Sequence, residues 1–587
     1  MLRTSNYQAF EILSHRHGAV ETVLHTFHGA EKAGRALPGD FVEWVPAEER
    51  CAIINRGVHP PLAGLLDVCS KTIYGMTSRH VPIFLFYPYD KRYPPMRVGC
   101  AVTDRSTNLL VTVRFEDWPQ GETWPRANLE NILGPVGDLT IEAAALLVAA
   151  SPFWKKKPQH IIDAPLLTRH KELVVAKATS VQTPEGDELI STPEHPWHIF
   201  HIDPAGCRDV DDIIGLQQRR DGRTNLLIGI SDVAAYVPEG SPYDKIATQN
   251  ASTVYSLSGT ALRSMFPVVL SEELFSLLPG TGTKPVVALT CIYDGNKFSD
   301  IAFGEYIVDV AKTYTYESIM AAMAAATPTA LIADPDAPPP PPADETAAWI
   351  AQTLGAAAAT IAREVAGPHP TLNVGEISRD SHIWIEQLMI FYNTTAAKLL
   401  AAVGTGIYRA CDEVDPAALE AISQLPAELA WITCKPATYT NNSAEMHAKF
   451  GGIYCQATSP IRRYVDLYNQ RRIKEVLANG LSNVSGPQPS WQLINHLNIR
   501  GKQLRTYQRN LTFLNALLST TGSSKIVDAT VVEIGDTKAR LYIHQWKTLV
   551  NTIEYAELLK GDKLRLQFYY NPNRPNWKER IIYEIIA

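Results

Sequence analysis

The sequence predicts an α+β protein of several domains, with small β-barrels at both ends and a mixed α/β unit between them. Three observations carry this. Residues 1 to about 160 run as short β-rich stretches broken by Gly, Asp and Pro. Residues 345 to 515 show helical periodicity, and the tail from Ser524 to Ala587 returns to alternating strands. A length of 587 residues suits about four domains. The divisions expected are two barrels over 1–78 and 79–165, the mixed unit over 190–518 and a last barrel over 522–587.

The first barrel is read from GAVETVLHTF, GDFVEWV and CAIINRG, the second from VPIFLFYP, MRVGCAVTD and LLVTVRFEDW. A helical patch over Thr140–Ala150 follows, then Phe153, Trp154 and the lysines Lys155 to Lys157. HPWHIFHID is an apolar strand that ends in an acidic turn, and NLLIGISDVAAYV is another strand. An Ala/Pro-rich insert, Ala321–Ala343, holds five consecutive prolines, Pro338 to Pro342, which favour an extended segment and forbid helix. SHIWIEQLMIFYNTTAAKLLAAV opens the helical region. KIVDATVVEIGDTKARLYIH, GDKLRLQFYY and ERIIYEII supply the last strands.

The net charge is −7, so binding to nucleic acid has to come from local basic patches. Eight cysteines lie scattered without a CxxC pair, which fits reduced, buried thiols better than disulfides or a zinc ribbon. The N-terminus has no apolar signal region, and apolar runs such as Ala143–Ala150 are far short of a membrane span. An intracellular protein of the cytoplasm or nucleus is expected, with the mitochondrion as the alternative.

The most informative stretch is His201 to Ile213, which carries Asp203, Asp209, Asp211 and Asp212 between apolar flanks. Clustered aspartates at the end of a buried strand repel one another unless cations neutralise them. All-oxygen ligands suit Mg²⁺ or Mn²⁺, and four carboxylates could hold two metals against a phosphodiester. A solvated acidic turn is the plain alternative. An EF-hand fails, because Ala205 and Cys207 fall where ligands belong.

A second element is Thr458-Ser-Pro-Ile-Arg-Arg-Tyr-Val-Asp466. Pro460 can open a helix with Ser459 as its N-cap, which with the arginines makes a phosphate site. Arg471, Arg472 and Lys474 continue the basic character. The alternative is a solvated basic helix face.

With these motifs in place the sequence resembles the ribonuclease II/ribonuclease R (RNB) exoribonucleases. Asp203, Asp209, Asp211 and Asp212 match the family's D-x5-D-x-D-D spacing. ISDVAAYVPEGSPYD, FPVVLSEELFSLLPG, IEQLMIFYN and AKFGGIYCQATSPIRRYVDL match further family segments, in that order. YPYDKRYPPMRV and VRFEDW…LGPVGDLTIEAAALL resemble the second cold-shock barrel of the eukaryotic exosome-type branch, and the tail is similar to an S1 barrel. The resemblance thus implies two OB-like cold-shock barrels, an RNB catalytic domain and an S1 (OB) barrel. The N-terminal endonuclease (PIN) domain of the largest eukaryotic members is expected to be absent.

The resemblance implies processive 3′→5′ hydrolysis of single-stranded RNA to nucleoside 5′-monophosphates with Mg²⁺, or Mn²⁺, as cofactor. Asp203, Asp209 and Asp212 would mainly be metal ligands, with Asp211 a ligand closest to the attacking water. Arg462 would stabilise charge on the phosphate, and Arg463 would support structure or contact RNA. Tyr255 matches the tyrosine used against the 3′-terminal base, unless it is a core residue. Phe115, Trp118, Lys91 and Arg92 are further RNA-contact candidates on the barrels. Protein partners are open, and no membrane is implied.

The chain departs from the family pattern at Gly229, where many relatives have His or Ala, and in the Ala/Pro insert. Gln508-Arg509 is the nearest fit to a family glutamate–arginine pair, with an amide in place of the carboxylate. A degenerate RNA-binding or scaffold subunit is the main alternative, although the four aspartates and Arg462 are all kept. A phosphodiesterase acting on small nucleotides fits three barrels poorly. Gly280-Thr-Gly-Thr-Lys284 lacks Walker spacing, and no HExxH occurs. His15, His17, His25 and His28 lack cysteine partners and read as surface or barrel residues.

Overall fold

The computed structural model describes residues 1–587 apart from 5, 15–22, 152–194, 327–343, 366–376, 378, 412–435, 482–487, 519–523, 536, 554–556, 573, 576 and 587. The Phe153–Lys157 patch, His15, His17 and the proline run Pro338–Pro342 fall outside the described residues, as do the division points at 165, 190 and 522.

Strand residues alternate between core and solvent in the N-terminal module. Leu2–Thr4, Ala9–Leu13 and Val23–His28 form an antiparallel sheet, and Phe41–Val45 pairs with Arg50–Asn55. Among the described residues these two ladders do not join into a ring. A closed five-stranded barrel follows, built from Leu62–Leu66, Ile83–Pro88, Met96–Gly99, Leu109–Asp117 and Arg126–Pro135. Its first strand, Leu62–Leu66, falls within the stretch 1–78 that the sequence division gave to the first barrel. Every residue of Leu62–Leu66 is buried, so this strand shows no alternation that would mark it as a barrel edge. One core runs through both modules, joining Phe10, Phe27 and Leu37 to Phe84, Phe86 and Met96. Asp138 then caps the helix Leu139–Ala150, its carboxylate accepting from the N–H groups of Thr140 and Ile141.

The central unit is a six-stranded sheet in the order Phe298–Val308, Lys284–Tyr293, Thr224–Ser231, Asp212–Gln218, His198–Ile202 and Lys312–Tyr314. Only the last pair is parallel. Helices Glu345–Val365 and Ser381–Ala402 cover one face, where Trp384, Leu388 and Tyr392 pack on Phe200, Ile214 and Ile228. Gly229 lies opposite Ile213, and a Cβ there would come within 2.9 Å of the Ile213 side chain. The insert starts later than its composition implied. Ala321–Ala326 finish the helix Tyr316–Ala326, because alanine has the highest helix propensity.

Helix Trp491–Leu518 leads to a five-stranded antiparallel sheet, in the order Thr548–Thr552, Ala539–Ile543, Lys525–Ile534, Lys563–Tyr570 and Ile581–Ile586. No helix among the described residues is long and apolar enough to cross a membrane.

Candidate active site

The strand His198–Ile202 ends on Asp203, and the neighbouring strand begins at Asp212. Antiparallel pairing therefore gathers Asp203, Asp209, Asp211 and Asp212 at one edge of the sheet. Ser231, at the end of the next strand, fixes this edge by donating its N–H to the Asp211 carbonyl at 2.8 Å.

Each aspartate meets a different environment. Asp203 faces His201 Nδ1 at 2.9 Å, and the ring's Nε2 lies 2.8 Å from Thr313 Oγ1. Asp209 accepts from the Tyr255 hydroxyl at 2.5 Å. Asp211 is 3% exposed. Its Oδ1 accepts from the Ile461 N–H at 2.9 Å, and its Oδ2 lies 3.0 Å from Arg462 Nε. Burial pushes the Asp211 carboxyl well above the usual range, against the opposing pull of Arg462. Asp212 is raised to about 7 by burial and then by the charge of Asp203.

Arg462 brings the second motif to the first. Its side chain remains 45% exposed, so it can reach a ligand while pairing with Asp211. Burial opposes its charge, but Asp211, Tyr255 and the neighbouring aspartates more than compensate, and its pKa rises. Tyr255 is carried to the same place by the backbone, since Arg462 O accepts from Thr253 N and Ser252 Oγ. Arg463 is turned inward and binds Asp466 at 2.7 Å, a structural role.

The helix expected to open at Pro460 starts four residues later, over Tyr464–Asn479. Arg463 is extended and bridges Ser252, so it cannot enter the helix. Asp466 reaches back to accept from Ser459 N, which holds the Ser459–Arg462 turn. Arg471, Arg472 and Lys474 form no phosphate site. Arg471 pairs with Asp244, Arg472 with Glu239, and Lys474 with Asp232 and Glu305. Their charges are spent inside the fold.

Phe115 and Trp118 are likewise committed to packing. Phe115 meets His59 and lies under Arg56, and Trp118 stacks on Tyr7. Lys91 and Arg92 do line a cavity of about 780 Å³, together with Tyr89, Lys502, Arg509 and Trp577. Gln508 is exposed on the helix Trp491–Leu518.

Three residues near the site escaped the sequence reading. Tyr316 is shifted upward by burial and then by Asp203 and Asp212, which places it beside them. It stacks on His382 with ring centres 3.7 Å apart. Gln470 is fully buried, donates to Ser231 O at 2.7 Å and accepts from Ala234 N at 3.0 Å. Asn393 accepts from Ala457 N at 2.8 Å, steadying the segment before Thr458. The aromatic run TYTYES was a signal for Tyr316. Nothing local marked the other two.

The donor set fits a hard divalent cation. Asp211 Oδ2 is buried beside the Arg462 guanidinium but makes no hydrogen bond, and burial and Asp203 hold the Asp212 carboxyl up against the pull of Arg462 and Arg463. As placed, no three His, Cys, Asp or Glu side chains among the described residues form an ion's shell. Tyr255 and Arg462 instead engage Asp209 and Asp211. Cys207, beside them, is pushed up to about 12 by burial, Asp203 and Asp209, so it stays a thiol.

Comparison with known proteins fits this geometry. Residues 195–479 match the RNB domain, and residues 83–151 match the Dis3-like cold-shock domain 2. Exoribonuclease 2 of Aeromonas hydrophila is 26% identical over 460 residues, covering 68% of this chain and 65% of the relative. The human exosome complex exonuclease RRP44 is 25% identical over 280 residues, covering 46% of this chain and 26% of the relative. The match therefore spans about a quarter of the exosome relative's length. Mycoplasma genitalium RNase R, solved with ribose-methylated single-stranded RNA, shares the fold at a TM-score of 0.69 and 16% identity, covering 98% of this chain and 100% of that one. Yeast Ssd1, a pseudonuclease, shares it at 0.60 and 15%, covering 97% and 81%.

Proposed function

The chain belongs to the RNB family, and from that membership we propose that it is a 3′→5′ exoribonuclease which hydrolyses single-stranded RNA processively to nucleoside 5′-monophosphates. The observation that carries this reading is the meeting of two motifs 250 residues apart. Ile461 N and Arg462 Nε both engage the Asp211 carboxylate.

Asp203, Asp209, Asp211 and Asp212 would hold Mg²⁺, with Mn²⁺ as the substitute. A divalent ion bound there polarises a phosphodiester and lowers the pKa of bound water. Asp211 is the carboxylate assigned to the attacking water. The exposed part of Arg462 neutralises charge that builds on the phosphate oxygens, which is worth most in a site closed to water. Tyr255, half-buried at the site, offers a ring for the 3′-terminal base, and stacking tolerates any sequence. Tyr316 and His382 supply a second aromatic surface beside the carboxylates. The 780 Å³ cavity, lined by Lys91, Lys502 and Arg509 together with Tyr89 and Trp577, supports an RNA path across the barrels.

The second reading is an RNA-holding protein without catalysis, favoured by the shared fold with a pseudonuclease. The retained aspartates and Arg462 argue against it. The test is a 5′-labelled single-stranded RNA with Mg²⁺, beside an EDTA control and Asp211→Asn. A ladder shortening from the 3′ end, with both controls silent, is expected. RNA that binds yet stays intact with Mg²⁺ and with Mn²⁺ would overturn the catalytic reading.

A further inference from the structure

Glu142 and Arg580 are far apart in sequence and wholly buried, both side chains 0% exposed. Glu142 lies in the helix after the second barrel, and Arg580 sits just before the last strand. Arg580 Nη1 donates to Glu142 Oε1 at 3.0 Å and to Oε2 at 3.2 Å. Tyr89 Oη donates to Oε2 at 2.9 Å, Tyr570 Oη to Oε1 at 2.6 Å and Gly137 N to Oε1 at 3.2 Å. Arg580 Nη1 also reaches the Tyr89 hydroxyl at 2.9 Å. Tyr89 comes from the second barrel and Tyr570 from the C-terminal sheet, so the carboxylate ties three segments together. Around the knot, Trp577 packs against Tyr89 and Tyr570, within a cluster that includes Leu146, Tyr507 and Leu511.

An ion pair taken out of water is held only when geometry and extra hydrogen bonds repay its desolvation. Here both carboxylate oxygens are multiply engaged. A module held merely by a linker needs no such arrangement. The knot also touches the RNA path, because Tyr89 and Trp577 both line the 780 Å³ cavity.

We propose that Glu142 and Arg580 are positioning residues which clamp the C-terminal sheet to the second barrel and thereby fix one wall of this cavity for long single-stranded RNA. The RNA part rests on the function proposed above. The clamp acts only on strands that extend into the cavity. A short RNA confined to the aspartates should not sense it, since it gains nothing from a second anchoring point.

The test compares the full chain with Glu142→Gln, Arg580→Met and the double variant Glu142→Gln/Arg580→Gln, which replaces the pair by neutral amides. Hydrogen exchange without RNA reports the clamp. Exchange across Lys563–Tyr570 and Ile581–Ile586 should rise about tenfold in each single variant and fall back in the double. In EDTA, affinity for an RNA of about 25 nucleotides should drop about tenfold, and that for one of about five nucleotides should change less than about twofold. Unchanged exchange in both single variants would overturn the clamp. Equal loss for long and short RNA would overturn its link to the cavity wall. A wild-type chain that binds neither RNA would defeat the RNA reading, while the exchange data still decide the clamp.

Discussion

Glu142 and Asp211 are both carboxylates removed almost entirely from water, 0% and 3% exposed, yet their surroundings differ in kind. Glu142 stands alone against one guanidinium, with two tyrosines and a backbone N–H completing its hydrogen bonds. Asp211 shares one half-exposed guanidinium with neighbouring carboxylates, and burial drives its own carboxyl upward. At the first site both carboxylate oxygens are engaged by the protein itself. At the second, burial and clustered carboxylates outweigh the pull of Arg462 and Arg463, and this is the place the proposed function gives to a cation. Satisfaction of buried charge therefore separates a brace from a site better than burial does.

The sharpest break of this comparison removes one charge at the second site. Asp211→Asn should lower RNA hydrolysis on the order of 10³-fold, while the variant melts at or above the wild-type temperature because one repelling charge is gone. A melting temperature well below wild type would mean that Asp211 is structural. The same kind of removal at the first site should do the reverse. Arg580→Met strands the Glu142 charge and should cost about 3–5 kcal/mol, read as a lower urea midpoint of tryptophan fluorescence, with hydrolysis of short RNA retained.

Arg462→Lys keeps the charge and loses the fork, so hydrolysis should fall about 100-fold with little change in stability. Equal loss of both would place Arg462 with Arg463, in the scaffold. Tyr255→Ala should weaken binding of the RNA 3′ end by about 1–3 kcal/mol, measured by fluorescence anisotropy in EDTA, and Tyr255→Phe should restore it. If Phe proves as weak as Ala, the hydroxyl on Asp209 matters more than the ring. The smallest effect is expected behind the acidic edge. Gln470→Ala orphans Ser231 O and Ala234 N, for about 1–2 kcal/mol of stability, and should slow hydrolysis only through the placement of Asp211.

Much of this was legible along the chain. The aspartates and Arg462 sit in compact motifs whose chemistry shows in residue type and spacing, Tyr255 is reached only through the family resemblance, and the structure brings them to one edge of the sheet. The late start of the motif helix was not legible, because Ser459 and Pro460 look like a cap. Only the bridge from Arg463 to Ser252 delays the helix. Nor could Arg471, Arg472 and Lys474 be told from a phosphate site, since their carboxylate partners, such as Asp244 and Asp232, lie more than 200 residues away. Phe115 and Trp118 could not be told from RNA contacts, because an alternating strand does not reveal which face meets a second module.

The sequence by itself determined the order of β, mixed and β regions, the identity of the acidic cluster and the motifs that carry the family resemblance. These rest on periodicity and local spacing, which every stretch carries within itself. The tertiary structure alone decided which charges are spent and which are free. It hid Arg471 and Arg472 in ion pairs, left Arg462 half exposed beside Asp211, and joined Glu142 to Arg580 across the molecule. The physical reason is that the cost of a charge depends on the water and partners around it. Those are set by segments that meet only when the chain has folded.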